Sequence, residues 1–522
     1  MNNVIGSLRA LAAAFALLAA AQSMAVAQAS TGKANAPASL LIRGGNVLDG
    51  TGAPAKRLDV RVVGDEIAEI AASLSPRPGE RVINASGLTV TPGFIDMHSH
   101  ADRGIERMPS AESQVRQGIT TAVVGQDGGS SLPVSDFFEE VDRLHTGINY
   151  ASMIGHGTVR AAVMGEDFRR PATPEEVQAM KVMVERGMKD GAVGLSSGTE
   201  YDPGFYSTPA EVQALARVVA PYGGYYASHV RDEENGVLDA WREVIEVGRA
   251  TGIPVHISHA KLASKPVWGK APQALALLDS AERAGVKVSA DWYPYTYWSS
   301  SMYVVIPDRD YDNRKKWEVG LDEIGGAGNI LVTSYRPDSS LEGKTIAEIA
   351  AQRKSDPITT IIDMIHTAGP NIGIIATAMD EKDLDRLVAD PRMTICSDGG
   401  LSGSHPRGYG AFPRVLSEYV RKRGVITLPE AIAKMTSRSA AVLGFKDRGV
   451  IAKGKKADIV VLDPARVEDR ATKLKPAQDP VGIPYVIVNG EVVLDNGRMT
   501  DARPGRALRR SGWQAPPASG SN

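Results

Sequence analysis

From residue 88 to about residue 425, short β-rich runs alternate with helical stretches, and that alternation leaves few folds open. The expected strands lie at 88–98, 119–125, 150–155, 192–196, 224–229, 254–259, 287–292 and 392–397. Eight strands with helices between them is the count of a (β/α)8 barrel. Helix starts are well marked. Thr173-Pro174-Glu175-Glu176 offers a capping Thr, a Pro at the first helical position and a Glu at N3, and Thr208-Pro209-Ala210-Glu211 repeats the pattern. The expected fold class is α/β, a TIM-like barrel spanning residues 89–427.

The flanks read differently. Short alternating strands with Gly turns occur at 40–48, 58–63 and 66–70, and again at 457–462, 485–489 and 491–494 after a helical stretch, 428–443. Asn489-Gly490 is a strong hairpin turn signal. Two β-rich pieces bracketing a barrel can pair, so residues 30–88 and 428–500 are expected to form one small β-sandwich, with 501–522 as a flexible tail. Between strands seven and eight, the stretch from about 307 to 373 holds a charged run, a strand-like 330–333 and helical segments. It reads as an insertion at the barrel mouth.

Residues 1–29 read as a signal peptide. The apolar run 11–21 is too short to span a bilayer, and Ala25-Val26-Ala27 or Ala27-Gln28-Ala29 fits a cleavage site. The chain is therefore expected to be exported, to the periplasm, with no membrane association after cleavage; no cysteine near the site offers a lipid anchor. A net charge of −2 gives no basic face for nucleic acid. The one cysteine, Cys396, cannot form an internal disulfide and sits in an apolar run, 393–396, where it reads as a core residue.

Chemistry gathers at the C-terminal ends of the strands, which form the catalytic face of such barrels. The run 91–100 ends in His98 and His100, two apart and so on one face of a strand. Strand two ends in Gln126-Asp127-Gly128, strand five in His229, strand six in His259 and strand eight in Ser397-Asp398-Gly399. Imidazoles and carboxylates together suit Zn²⁺ or a similar divalent ion with a position left for water. Asp398 suits the role of proton acceptor and donor. The other histidines read as structural: His156 orders a loop, His256 faces away from His259, and His145 and His366 lie on helix or insertion surfaces. The aromatic stretch 292–303 offers either a substrate wall or a packing cluster.

A strand ending HxH, single histidines after strands five and six, and an Asp after strand eight resemble the amidohydrolase superfamily. Finer matches narrow the resemblance to the N-acyl-D-amino-acid deacylases (D-aminoacylases). They are Gly155-His156-Gly157-Thr158-Val159-Arg160, Gly194-Leu195-Ser196-Ser197-Gly198, Ser228-His229-Val230-Arg231, Ser258-His259-Ala260-Lys261, Asp291-Trp292-Tyr293-Pro294-Tyr295 and His405-Pro406-Arg407. The resemblance covers about residues 40–500. It implies that His229 and His259 hold a tightly bound zinc ion, that His98 and His100 flank a second and often weaker site, and that Asp398 is the general acid/base. It further implies that Tyr201, Arg407 and a serine near Ser299 hold the α-carboxylate of a small-molecule substrate while Lys261 faces its side chain. A planar guanidinium suits a carboxylate because it can donate two hydrogen bonds.

One position departs from the family, which commonly shows Asn-Cys-Gly after strand two with the cysteine as a zinc ligand. Here Asp127 stands in that place, and a carboxylate can bridge two ions. The alternative is that Asp127 binds one zinc and the HxH site stays partly empty. The expected activity is hydrolysis of N-acyl-D-amino acids. A D-amino-acid dipeptidase or cyclic amidase would use the same scaffold, and the presence of every ligand argues against a non-catalytic binding barrel.

Overall fold

The structure, a computed structural model, describes residues 39–514, so the expected signal peptide lies outside the described residues. Eight short strands carry the α/β part. They are β1 Phe94–Asp96, β2 Ile119–Val124, β3 Asn149–Ser152 (continued as Ile154–Gly155), β4 Gly194–Gly198, β5 Tyr225–His229, β6 Val255–Ile257, β7 Val288–Trp292 and β8 Met393–Ile395. All neighbouring pairs are parallel: β1–β2–β3 form one ladder, and β3 to β8 form another. β8 returns to β1 through the loop backbone, where Asp398 N–H donates to the His98 carbonyl at 2.8 Å and His100 N–H to the Gly399 carbonyl at 2.9 Å. The fold is an α/β fold of the TIM-barrel type.

The strands read as unbroken apolar or small runs because both their faces are covered; all six residues of β2 are buried. The helices are amphipathic, and the two with Thr-Pro starts are capped by their Thr side chains. In the helix Pro174–Asp190, Thr173 and Glu176 exchange side-chain and backbone hydrogen bonds, and Met180, Val184, Gly187 and Met188 form the buried face. Burying each of the two methionines and the valine stabilises the packing by roughly 1.5–3 kcal/mol. Gly191, at φ +113°, ends this helix in a left-handed turn that a side chain would strain. At the second signal, Thr208 caps the helix Pro209–Val219 as expected, but the Glu211 side chain turns away to pair with His156 and Arg160.

Both flanks join one nine-stranded sheet, in which Ile459–Leu462 pairs antiparallel with Thr89–Pro92. This sheet encloses an apolar core of its own, including Ile42, Val60, Val62, Val90, Ile459 and Ile487. The expected hairpin turn is present, with Asn489 and Gly490 both at positive φ.

Four expectations need correction. The first strand is two: Thr89–Pro92 belongs to the flank sheet and Phe94–Asp96 to the barrel, so the boundary falls at Gly93, not at 88/89. A Cβ on Gly93 would meet the Thr120 side chain at 2.2 Å, so only glycine fits where the chain crosses between layers. The insertion between β7 and β8 begins earlier and ends later than 307–373. Its three-stranded antiparallel sheet uses Tyr297–Ser301, Ile330–Ser334 and Gly373–Thr377, so it starts inside the aromatic stretch. The helical stretch 428–443 is two helices, Leu428–Met435 and Ser437–Val442, broken at Thr436. Finally, residues 501–514 are not a loose tail. Leu508 N–H donates to the Tyr150 carbonyl at 2.7 Å, Tyr150 N–H to the Arg506 carbonyl at 3.0 Å, and Arg510 N–H to the Gly191 carbonyl at 3.0 Å, so the segment straps the edge of β3. Among the described residues, no helix is long and apolar enough to cross a membrane.

Candidate metal centre and active site

Each strand that ends in a candidate ligand delivers it to one place. Nε2 of His98 lies 3.3 Å from one oxygen of Asp127, and Nε2 of His100 lies 3.2 Å from the other. The same two nitrogens stand 3.6 and 3.3 Å from Oδ1 of Asp398. On the opposite side, Nε2 of His259 and Nδ1 of His229 are 3.4 and 3.9 Å from Oδ1 of Asp127, and 3.0 Å from each other. Asp127 thus sits between two imidazole pairs.

The backbone at this spot is held under strain. Asp127, His259 and Asp398 have φ values of +54°, +34° and +49°, a region that costs a side-chain-bearing residue of order 1–3 kcal/mol. Loops after β2 and β4 press together there: a Cβ added to Gly198 would lie 2.3 Å from the Asp127 carbonyl oxygen, so only glycine admits the approach.

The donor set fits a divalent cation. Both ring nitrogens of His98 and Oδ1 of Asp127 are buried with no hydrogen-bond partner. Such orphans cost about 1–3 kcal/mol each, and a bound ion satisfies them. His98, Asp127, His259 and Asp398 can direct ligand atoms within 4.8 Å of one another, as can His229, Glu233 and His259.

A supporting layer of carboxylates fixes the imidazoles. Glu200 Oε2 lies 2.5 Å from His229 Nε2, leaving Nδ1 to face the centre. Glu233 lies 3.1 Å from His259 Nδ1 and accepts from the Lys261 ammonium at 2.5 Å. Asp291 accepts from the His259 backbone at 2.5 Å and pairs with His256 at 2.8 Å. Acceptors of this kind set the tautomer and orientation of a metal-binding histidine.

Burial opposes charge on every group here, and the pairings decide the outcome. For Asp398 the burial penalty is outweighed by the Arg407 guanidinium, 2.6 Å away, and by His259, so its carboxyl is held well below the usual range. His100 is also desolvated, yet its hydrogen bonds to Asp127 and Asp398 raise it to about 9. Beneath the site, burial pushes Asp96 up to about 7 in spite of its hydrogen bonds from Ser397.

The centre floors a cavity of 570 Å³ lined by His100, Asp127, His229, His259 and Asp398, with His98 buried below. Tyr201, Lys261, Ser299 and Arg407 line the same space. The Tyr201 ring stands 4.3 Å from that of His229, and Arg407 and Lys261 lie over the Tyr293 ring at 5.0 and 5.6 Å. The Lys261 ammonium is engaged by Glu233 and His259 rather than projecting freely. Part of the aromatic stretch does wall the cavity, through Tyr293, Trp298 and Tyr303.

Glu200 and Glu233 were not among the expected site residues, although the sequence carried a signal for both. Glu200 follows the end of β4 just as Asp127 and Asp398 follow theirs, and Glu233 lies one helical turn's spacing beyond His229. Of the remaining histidines, His405 lines the cavity, accepting from the Arg407 backbone N–H at 3.0 Å, and the other four are structural or peripheral. His156 pairs with Glu211 at 2.9 Å, His256 with Asp291 and Ser289, and His366 is exposed beside Asp312. His145 is an exposed helix end, and Cys396 is fully buried.

Comparison with known proteins agrees with this geometry. The sequence matches the pattern of the amidohydrolase family over residues 81–389 and 338–494. It is 35% identical over 500 residues to a D-aminoacylase of Alcaligenes xylosoxydans xylosoxydans, spanning 91% of this chain and 98% of the relative. It is 37% identical over 495 residues to an N-acyl-D-glutamate deacylase of the same organism, spanning 90% and 96%. The crystal structure of an N-acyl-D-glutamate deacylase from Bordetella bronchiseptica, complexed with zinc and a phosphonate inhibitor that mimics the tetrahedral intermediate, is 35% identical. It aligns with a TM-score of 0.81 over 91% of this chain and 100% of that one.

Proposed function

The chain belongs to the amidohydrolase family, and on that premise we propose that it hydrolyses the amide bond of N-acyl-D-amino acids, releasing a carboxylate and a free D-amino acid. The observation that carries this reading is the convergence of four histidines, Asp127 and Asp398 on the floor of one cavity. Zinc is the cofactor, as in the Bordetella relative. His229, His259 and Asp127 would hold one ion. His98 and His100 would hold a second, sharing Asp127 as a bridging carboxylate; its position between the two imidazole pairs supports the bridge. When bound, the metal polarises the scissile carbonyl and acidifies the attacking water.

The protein's own groups do the rest. Asp398, kept ionised by Arg407, takes a proton from the attacking water and passes it to the departing nitrogen, since an amine leaves far more readily once protonated. Arg407, Tyr201 and Ser299, which line the cavity, would hold the substrate's α-carboxylate, and Lys261, held between Glu233 and His259, would face the substituent on the α-carbon. Buried Tyr293 and Trp298 exclude water from that space.

On the larger scale, we read the two parallel ladders as one closed (β/α)8 barrel. The flank sheet is the small β-sandwich domain, 39–92 with 428–500, and 1–29 is an export signal that sends the enzyme to the periplasm. The contact between the Asp398 and His98 backbones supports closure. The test is amine release by the zinc-loaded enzyme from matched N-acetyl-D- and N-acetyl-L-amino acids, with D-containing dipeptides alongside. Release from the D series, abolished by chelation, is expected; turnover of dipeptides alone would make the enzyme a peptidase.

A further inference from the structure

Beside the catalytic cavity lies a second cleft of 620 Å³, formed where the insertion packs over the loop after β5. The volume is that of a small-molecule site, ~300–1,000 Å³. Its lining differs in kind from the metal cavity, which is dominated by charge. Val304, Val305, Ile306, Val319 and Ile324 furnish an apolar interior, and Asp308, Lys316 and Glu323 sit at the rim. Val319 is 57% exposed on the helix Arg314–Ile324, an apolar side chain left facing open space. Glu234, Trp298 and Val304 line both spaces, so these three side chains form a wall common to the cleft and the active site. No step in the hydrolytic chemistry uses it.

We propose that this cleft binds the acyl chain of the substrate, and that the enzyme's substrates are D-amino acids carrying a linear aliphatic acyl group of medium length. The inference rests on the deacylase reading and adds the substrate's second half to it. Electrostatics choose which arm of the substrate points there. The α-carboxylate is drawn to Arg407, which stands on the Asp398 side of the centre. The cleft meets the cavity at Glu234, beside Glu200 and Glu233 on the His229 side. Glu234 and Glu200 offer a carboxylate no cation to pair with, as Arg407 does, whereas the acyl arm carries no charge and leaves the scissile carbon in the opposite direction. Its methylenes would then lie along the valines and isoleucines of the insertion.

The test is kcat/KM of the zinc-loaded enzyme for an N-acyl series, acetyl to octanoyl, on the D-amino acid that the acetyl panel ranks first. In parallel, octanoate and acetate binding is measured by calorimetry on wild type and Val319→Asp. Full burial of a methylene favours binding about fourfold, so kcat/KM should rise at least about a hundredfold along the series. Octanoate should bind at least tenfold tighter than acetate, and V319D should cut the octanoyl-to-acetyl ratio at least tenfold. A flat series with no preferential octanoate binding overturns the proposal while N-acetyl turnover leaves the deacylase reading intact. A rise that V319D does not blunt, or one seen only along a series of lengthening D-side chains, also overturns it. If no N-acyl-D-amino acid is turned over, the deacylase reading fails, and octanoate binding to wild type but not to V319D decides the cleft by itself.

Discussion

Asp398 and Asp127 are two buried carboxylates with different work, and removing each should leave a different signature. Asp398→Asn keeps shape and loses the proton acceptor, so kcat should drop by about 10²–10⁴-fold while zinc content stays at the wild-type value. Asp127→Ala should lower zinc per chain by metal analysis, because both imidazole pairs lose the oxygen between them. One zinc per chain in zinc-replete wild type would argue against the bridge. Glu200→Gln should weaken zinc affinity about 10–100-fold in a chelator competition, since it loosens the acceptor that orients His229. At this scale the sequence was informative about which residues meet, because a residue at the C-terminal end of a barrel strand can point to only one place. It said nothing of how they are held. The left-handed backbone at Asp127, His259 and Asp398 follows from contacts such as Gly198 against the Asp127 carbonyl, and no local pattern encodes a clash between two distant loops.

Elements depend on contacts that sequence periodicity does not display. The strap 501–514 has no apolar alternation of its own, and its order comes from hydrogen bonds to β3 and Gly191. Truncation after residue 500 should therefore expose the edge of β3 and lower Tm measurably, a result a free tail would not give. The break at Gly93 was hidden for a related reason: two short strands of one continuous apolar run serve different sheets. In the flank sheet, Glu80 is a buried acceptor for Arg61, at 2.8 Å, and that hydrogen bond pulls its carboxyl from 4.5 to about 2. Because the folded value is the lower one, the stability it contributes is present above about pH 4.5 and disappears as the pH falls towards 2. Glu80→Gln should lose that part of the acid sensitivity in pH-dependent unfolding.

For the molecule as a whole, a bound metal would tie the neighbouring strands β1 and β8 to each other and β2 to β5 and β6 across the fold. Chelation should lower Tm reversibly, and readdition of zinc should restore it; a ligand at 100 times its Kd stabilises by about 2.7 kcal/mol. The α/β class and the alternation that produces it were readable along the chain, since each βα unit writes its own pattern. How the two flanks meet was only inferable, because Ile459–Leu462 and Thr89–Pro92 are partners with no signal linking them. The hydrogen bond from the Ser397 backbone N–H to the Asp96 carboxylate spans 301 residues. A ribosome that has delivered the first half of this chain has thus made neither a finished barrel nor a finished flank sheet, for both wait on residues still to come. Such a polypeptide folds late and slowly, with long-range pairings formed last.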